Sequence, residues 1–329
     1  MFIKNFHLTF LRFLIIGTLI AISANSWFTS WLGLEINLIS IIPLILNKTS
    51  SRLSEASIKY FLAQAIASII LIFIFSLNFF RKERIELEII EIFIMFSLAL
   101  KAGLAPFHYW FPQVINSLIW PQCTILFTWQ KIAPLILICS ISTILAITLR
   151  IISTVVGALG GFNQIFIKII LTYSSISHRG WIIIACLFNF NSWAQYFFIY
   201  CLISISIIIF FYLNQAEKTS EIVTSQDSEI NKNILFINIL SLGGLPPLLG
   251  FSAKINIIII TLKFFSFIIL IPLIVSSLIS LFFYLRVVYS AMFFKNKKNI
   301  IINQKNKTNS LLFTFRALGN ILAPVIFLT

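Results

Sequence analysis

Charge is what this chain has least of. Only 10% of its 329 residues are charged and only ten are acidic, against roughly 25% charged in an ordinary soluble domain. With 59% hydrophobic residues, 35 Phe and a mean hydropathy of +1.01, no water-soluble fold could hide the apolar surface that remains, and a soluble globular domain is excluded. Histidine is sparse, three in all, and too scattered for a zinc or haem site. The four cysteines, Cys123, Cys139, Cys186 and Cys201, lie in or beside apolar stretches without CxxC spacing, and read as small core hydrophobes rather than disulfides, haem attachment or metal ligands. No glycine-rich phosphate loop and no nucleophile elbow occurs. Gly157-Ala-Leu-Gly160-Gly161 lies in an apolar segment, where small residues let helices pack. The polypeptide alone therefore has no redox chemistry, and neither a metal nor a cofactor is expected on it.

What is present is a series of long apolar runs. Their unbroken length excludes a β-barrel and predicts an all-α polytopic membrane protein of about eleven transmembrane helices. The predicted spans lie near 8–27, 28–46, 56–79, 87–116, 122–138, 140–159, 166–188, 194–213, 233–261, 265–293 and 310–328. They form a single transmembrane domain over 1–329, with 294–309 as a solvated connector before the last helix. The run from Leu8 to Ile22, flanked by Lys4 and Arg12, resembles a signal peptide. Because the next apolar segment begins at once at Trp27, it reads instead as the first span. The fourth and ninth spans are too long for one straight crossing and contain helix breakers, Pro106 and Pro112 in one, Gly243-Gly244 and Pro246-Pro247 in the other.

The net charge of +14 would suggest nucleic-acid binding in a soluble chain, but there is almost no water-facing surface here to carry a basic groove. The positive-inside bias accounts for it better. With eleven spans, one face collects Lys4, Arg12, Lys48, Arg52, Lys168, Lys218, Lys232, Lys295, Lys297, Lys298, Lys305 and Lys307, and the other only Arg81, Lys82, Arg84 and Lys263. The N-terminus is then on the cytoplasmic-equivalent side and the C-terminus across the membrane.

Nine of the ten acids sit in loops or at span ends, and Glu35 does not. It lies within Trp31-Leu-Gly-Leu-Glu35-Ile-Asn37, inside the second span, where a charge costs at least about 2.5–3.5 kcal/mol on insertion scales. Such a group faces a partner or a water-filled path, or else is a hydrogen-bonded residue that merely orients two helices. Lys101, Lys131 and Lys254 are also intramembrane, each close to a proline. Interrupted helices expose backbone groups that survive only around a cavity or water, where a lysine that loses and regains its proton can be retained. Snorkelling to an interface is the alternative, suited to Arg150, Lys263, Arg286 and Arg316 near span ends and less to the three central lysines. His108 and His178 can pass protons near neutral pH and are candidate relays.

Several strings resemble the mitochondrial NADH dehydrogenase subunit 2 family of antiporter-like membrane subunits of respiratory complex I. They are Trp31 to Asn37, Ser54 to Leu62, Lys101 to Pro112, Trp129 to Pro134, Gly160 to Gln164, Ser174 to His178 and Ser241 to Pro247. The resemblance runs from about residue 15 to 293, with the motifs in the family's order. It implies an antiporter-like fold with two discontinuous helices and two inverted five-helix repeats, the animal version lacking the first three helices of its bacterial relatives. The two broken spans are five apart and run in opposite directions as an inverted repeat requires, yet both lysines fall on the same side of their breaks. Only repeat-level symmetry is expected. The resemblance further implies a proton-transfer axis in which Glu35 pairs with Lys101, Lys131 is the central relay and Lys254 lies near the far exit, with quinone reduction elsewhere driving it. NADH, FMN, iron–sulfur clusters and ubiquinone would belong to other subunits. Partners would be other complex I membrane-arm subunits, accessory subunits and lipids such as cardiolipin, with no nucleic acid. The location would be the mitochondrial inner membrane, N-terminus on the matrix side and C-terminus on the intermembrane-space side. Departures occur at Gln113, Ile165 and Arg179. A free-standing cation/proton antiporter and a non-conducting scaffold stand as alternatives, although Na⁺ needs several oxygen ligands and Glu35 is the single central carboxylate.

Overall fold

The computed structural model describes residues 2–46, 50–80, 87–141, 144–224, 229–264 and 267–293. The connector 294–309, the last expected span 310–328 and the charged loop 81–86 lie outside them. Among the described residues the chain is built from helices, with one isolated antiparallel bridge between Phe166 and Lys218. The helices are α1 (Phe2–Ile22), α2 (Trp27–Ile45), α3 (Ser51–Phe80), α4 (Leu87–Ala102), α5 (Trp110–Ser117), α6 (Trp120–Phe127), α7 (Trp129–Cys139) and α8 (Ile144–Gly161). They continue as α9 (Ile167–Cys186), α10 (Phe190–Asn214), α11 (Thr219–Thr224), α12 (Glu229–Gly243), α13 (Leu249–Phe264) and α14 (Phe267–Phe293).

Among the described residues, six helical stretches are long and apolar enough to cross a membrane: Trp27–Ile45, Ser51–Ser76, Trp120–Cys139, Ile167–Cys186, Phe190–Asn214 and Ile269–Ser290. Six such stretches are thus established among the described residues, and the expected count of about eleven is not confirmed. Three more apolar helices, Phe6–Ile22, Ile147–Gly161 and Lys232–Gly243, are shorter, and the fourth and ninth expected spans are each divided into two pieces.

The helices group into two compact units, Met1–Ser153 and Thr154–Thr329. In the first, α1 packs along α2, α3 lies against α2, α4 and α5, and α7 against α1, α4 and α6. Glycine sets the closest of these approaches. A Cβ at Gly33 would lie 2.5 Å from the Ala21 backbone nitrogen, and one at Gly17 3.0 Å from the Gly33 carbonyl oxygen, so α1 and α2 touch backbone to backbone. In the second unit, α10 packs on α9, α12 and α13, and α14 on α9, α11, α12 and α13.

The two breaks share one local design. α4 ends in a Schellman turn: Gly103 takes φ +65°, its N–H bonds to the Leu100 carbonyl, and the Leu104 N–H reaches back to the Ala99 carbonyl. α12 ends in the same way, with Gly244 at φ +81° bonding Ser241 and Leu245 bonding Leu240. In each case a cis proline follows at the third position after the glycine, Pro106 and Pro247. Glycine supplies the left-handed turn and proline forbids the helix from resuming, so both stops are written in Gly-Leu-x-Pro.

A further interruption was not expected. The 122–138 span is divided at Thr128, φ −114° and ψ −74°, into α6 and α7. Two cysteines depart from the reading given above: Cys123 and Cys201 are in no disulfide, but Cys139, at the end of α7, and Cys186, at the end of α9, are each disulfide-bonded. Both stand at helix termini, a feature that hydropathy runs do not reveal.

Candidate functional site

In the first unit the site forms around the end of α4. Lys101 is in its last turn, where the negative end of the helix dipole favours a cation. Its Nζ lies 3.6 Å from Oε1 of Glu35 on α2, with the lysine side chain 2% exposed and the glutamate side chain 23%. That separation is an ion pair outside hydrogen-bond distance, and neither atom has a hydrogen-bond partner among the described residues. Glu35 Oε1 is thus held by charge.

The broken backbone beside this pair is accounted for. The Lys101 carbonyl accepts from Gln64 Nε2 on α3 at 3.2 Å, and the Leu100 carbonyl from Trp110 Nε1 at 3.1 Å. The Lys101 carbonyl is therefore capped by a side chain rather than left bare in an apolar medium, and the Leu100 carbonyl, which already accepts from the Gly103 N–H, gains a second donor. His108 sits within the break, 5% exposed, with its ring stacked on Tyr109 at 4.4 Å.

Lys131 lies in the first turn of α7, 3% exposed, its Nζ 5.6 Å from the centroid of Phe127. α7 packs against α4, the helix that carries Lys101. Pro134 within α7 cannot donate to the Gln130 carbonyl, so the interruption at Thr128 and the proline bracket the lysine. Sequence reasoning also missed the amides around it. Gln130 Nε2 donates to Asn37 Oδ1 at 2.9 Å, and Tyr60 Oη donates to Gln130 Oε1 at 3.3 Å. Gln122 Nε2 holds the Leu44 and Ile45 carbonyls at 3.0 and 2.7 Å. Uncharged amides inside apolar runs were the available signal.

In the second unit Lys254 of α13 is 6% exposed and donates from Nζ to the Gly243 carbonyl at 2.8 Å, the last carbonyl of α12 freed by the break. Its Nζ is 6.0 Å from the Trp181 ring centroid, within cation–π range. His178 precedes Trp181 by one turn on α9, so the two share a face. Its Nδ1 is 2.8 Å from Tyr196 Oη, and its ring is 5.3 Å from that of Tyr200.

Three further basic residues are buried. Arg150 is 0% exposed and does not snorkel. Lys168, counted above among the charges of one membrane face, is buried and pairs with the exposed Glu217 at 2.9 Å. Arg179 is 1% exposed. Lys263 and Arg286 are exposed, as snorkelling requires, and Arg316 lies outside the described residues. No group of three or more metal-ligating side chains occurs among the described residues.

Residues 24–280 match the transmembrane family described as NADH:quinone oxidoreductase/Mrp antiporter. The chain is 43% identical to NADH-ubiquinone oxidoreductase chain 2 of Anopheles gambiae, over 95% of each chain. It is 37% identical to the protein of the same name from Locusta migratoria, over 91% of this chain and 89% of that one. Among solved structures, a chain of respiratory complex I from Thermus thermophilus superposes with a TM-score of 0.85 at 21% identity, over 98% of this chain and 78% of that one. A chain of the Mrp complex from Dietzia sp. gives 0.77 at 17%, over 88% and 61%. At such identities the structural likeness shows a shared antiporter-like fold.

Proposed function

This chain belongs to the NADH-ubiquinone oxidoreductase chain 2 family, within the wider NADH:quinone oxidoreductase/Mrp antiporter transmembrane family, and on that premise we propose that it is a proton-translocating membrane-arm subunit of respiratory complex I. The observation that carries the reading is the Glu35–Lys101 pair at 3.6 Å, placed against a helix break. Closing or opening that pair changes the electrostatic field at buried neighbours by several kcal/mol, on the order expected at an effective dielectric near 20. Protonation of Lys131 responds to it, and Lys254 and His178 serve the second unit as relays.

The chain would hold no cofactor of its own. NADH oxidation, FMN, the iron–sulfur clusters and ubiquinone reduction belong to other subunits, and the energy reaches this one as a change of charge or conformation. Its partners are other membrane-arm subunits, with accessory subunits and anionic lipids such as cardiolipin at the periphery. The compartment is the mitochondrial inner membrane with the N-terminus facing the matrix, and the two breaks belong to inverted repeats. A cation antiporter would need an oxygen-rich site, and the described central positions supply basic groups and one carboxylate.

Native separation of detergent-solubilised membranes, with NADH-oxidation staining and peptide identification of this chain, tests the assembly. Co-migration with a large NADH-active complex supports it, and migration as a small inactive species overturns it. The conducting role is tested by Lys131→Ala in the assembled complex. Fewer protons moved per NADH is the expected outcome; an unchanged ratio would leave a scaffold.

A further inference from the structure

The first unit contains a polar construction that the proton axis does not by itself require. α3 presents Tyr60 and Gln64 four residues apart and hence on one face. Gln64 Nε2 holds the Lys101 carbonyl at 3.2 Å. Tyr60 Oη donates to Gln130 Oε1 at 3.3 Å, and Gln130 Nε2 donates in turn to Asn37 Oδ1 at 2.9 Å. The Tyr60 ring also packs edge-on against Trp110, centroids 5.7 Å apart, and the Trp110 indole holds the Leu100 carbonyl at 3.1 Å.

The sequence positions give this arrangement its meaning. Asn37 lies two residues beyond Glu35 on α2, and Gln130 immediately precedes Lys131 on α7. The amide–amide bond therefore joins the helix bearing the carboxylate to the helix bearing the central lysine. Tyr60 and Gln64 fix the same strut of α3 to that bond and to the Lys101 end of α4. Asn37 is 3% exposed, Tyr60 3% and Gln64 6%, and Gln130 is half-buried, so these bonds are largely enclosed by the chain. Each amide bond has a direction, donor on Gln130 and acceptor on Asn37, and a buried network of this kind has few satisfied arrangements.

We infer that Asn37, Gln130 and Tyr60 are positioning residues that transmit the state of the Glu35–Lys101 pair to Lys131. When the ion pair closes or opens, α2 and α4 shift relative to the α3 strut. The Asn37–Gln130 bond carries that shift to the backbone immediately before Lys131, where Pro134 and the interruption at Thr128 leave the helix compliant. Lys131 is thus coupled to Glu35 by a mechanical link of two amides as well as through the field. This rests on the proton-axis reading given above.

The test uses Asn37→Leu, Gln130→Leu and the double variant in the assembled complex, with Lys131→Ala alongside. Coupled turnover in each single variant falls about tenfold, within the coupling range of residues that share one network, and the double variant is no slower than either single. The quinone KM and the amount of complex on native gels stay the same, and protons per NADH fall. Normal turnover in both single variants, or losses that multiply in the double variant, overturns the inference. If Gln130→Leu does not assemble, Tyr60→Phe, which deletes one hydroxyl and keeps the ring against Trp110, decides instead: slower coupled turnover supports the link, and an unchanged rate overturns it. The two readings fail separately. An unaltered proton ratio in Lys131→Ala removes the axis itself, whereas a loss there beside normal Asn37 and Gln130 variants removes only the link.

Discussion

Removing the two members of the Glu35–Lys101 pair one at a time should have unequal consequences, because their burial is unequal. At 3.6 Å and an effective dielectric of about 20, the attraction is about 4–5 kcal/mol before solvent screening. The glutamate side chain is 23% exposed and the lysine 2%. Lys101→Met leaves a carboxylate that the chain encloses only in part, and the loss should be about 1 kcal/mol, near the value for an exposed pair. Glu35→Gln leaves an ammonium almost wholly enclosed, and should cost about 3–5 kcal/mol, as when one partner of a buried pair is removed. The double variant Glu35→Gln/Lys101→Met has no charge left to desolvate and should recover most of that loss. The assay is the half-life of the assembled complex on warming, read by native gel, because a large membrane assembly has a rate of loss and not an equilibrium midpoint. A half-life shorter for Lys101→Met than for Glu35→Gln, or a double variant that adds the two losses, would refute the reasoning.

Three other outcomes follow from the packing. Gln122→Leu removes two hydrogen bonds to the Leu44 and Ile45 carbonyls and should destabilise the α2 terminus by about 2–3 kcal/mol, seen as faster thermal dissociation. Gly33→Ala places a Cβ 2.5 Å from the Ala21 nitrogen; α1 and α2 must separate, at a cost on the order of 1–3 kcal/mol, with less complex assembled at equal expression. Tyr196→Phe deletes the hydroxyl 2.8 Å from His178 Nδ1 and should cost about 1 kcal/mol. If His178 is a relay, coupled turnover slows as well, and a rate equal to that of the parent complex would count against that role.

The parts of the molecule that sequence made legible are those written in residues with one physical use. A charge within an apolar run points to Glu35 and the three lysines, since nothing but a partner or a wet path offsets its desolvation. A glycine three residues before a proline marks each helix stop, because few other pairs both permit a left-handed turn and forbid the helix from resuming. Residues with many uses were opaque. Gln64, Gln122, Gln130 and Asn37 are each ordinary in isolation, and their partners stand 37 to 93 positions away along the chain. Arg150 and Lys168 were misplaced for a related reason: closeness to a span end says nothing about whether a neighbouring helix covers that end. The interruption at Thr128 has no breaker of its own, so hydropathy ran straight across it.

The turn at Gly244 also shapes how this part of the chain can vary over generations. Its φ of +81° resists any side chain, and an added Cβ would meet the Lys254 stem 2.9 Å away. A substitution at 244 would therefore strain the turn and also displace Lys254, which holds the Gly243 carbonyl. A side chain at 244 is thus opposed twice, by the left-handed backbone of its own turn and by a lysine stem ten positions further along the chain.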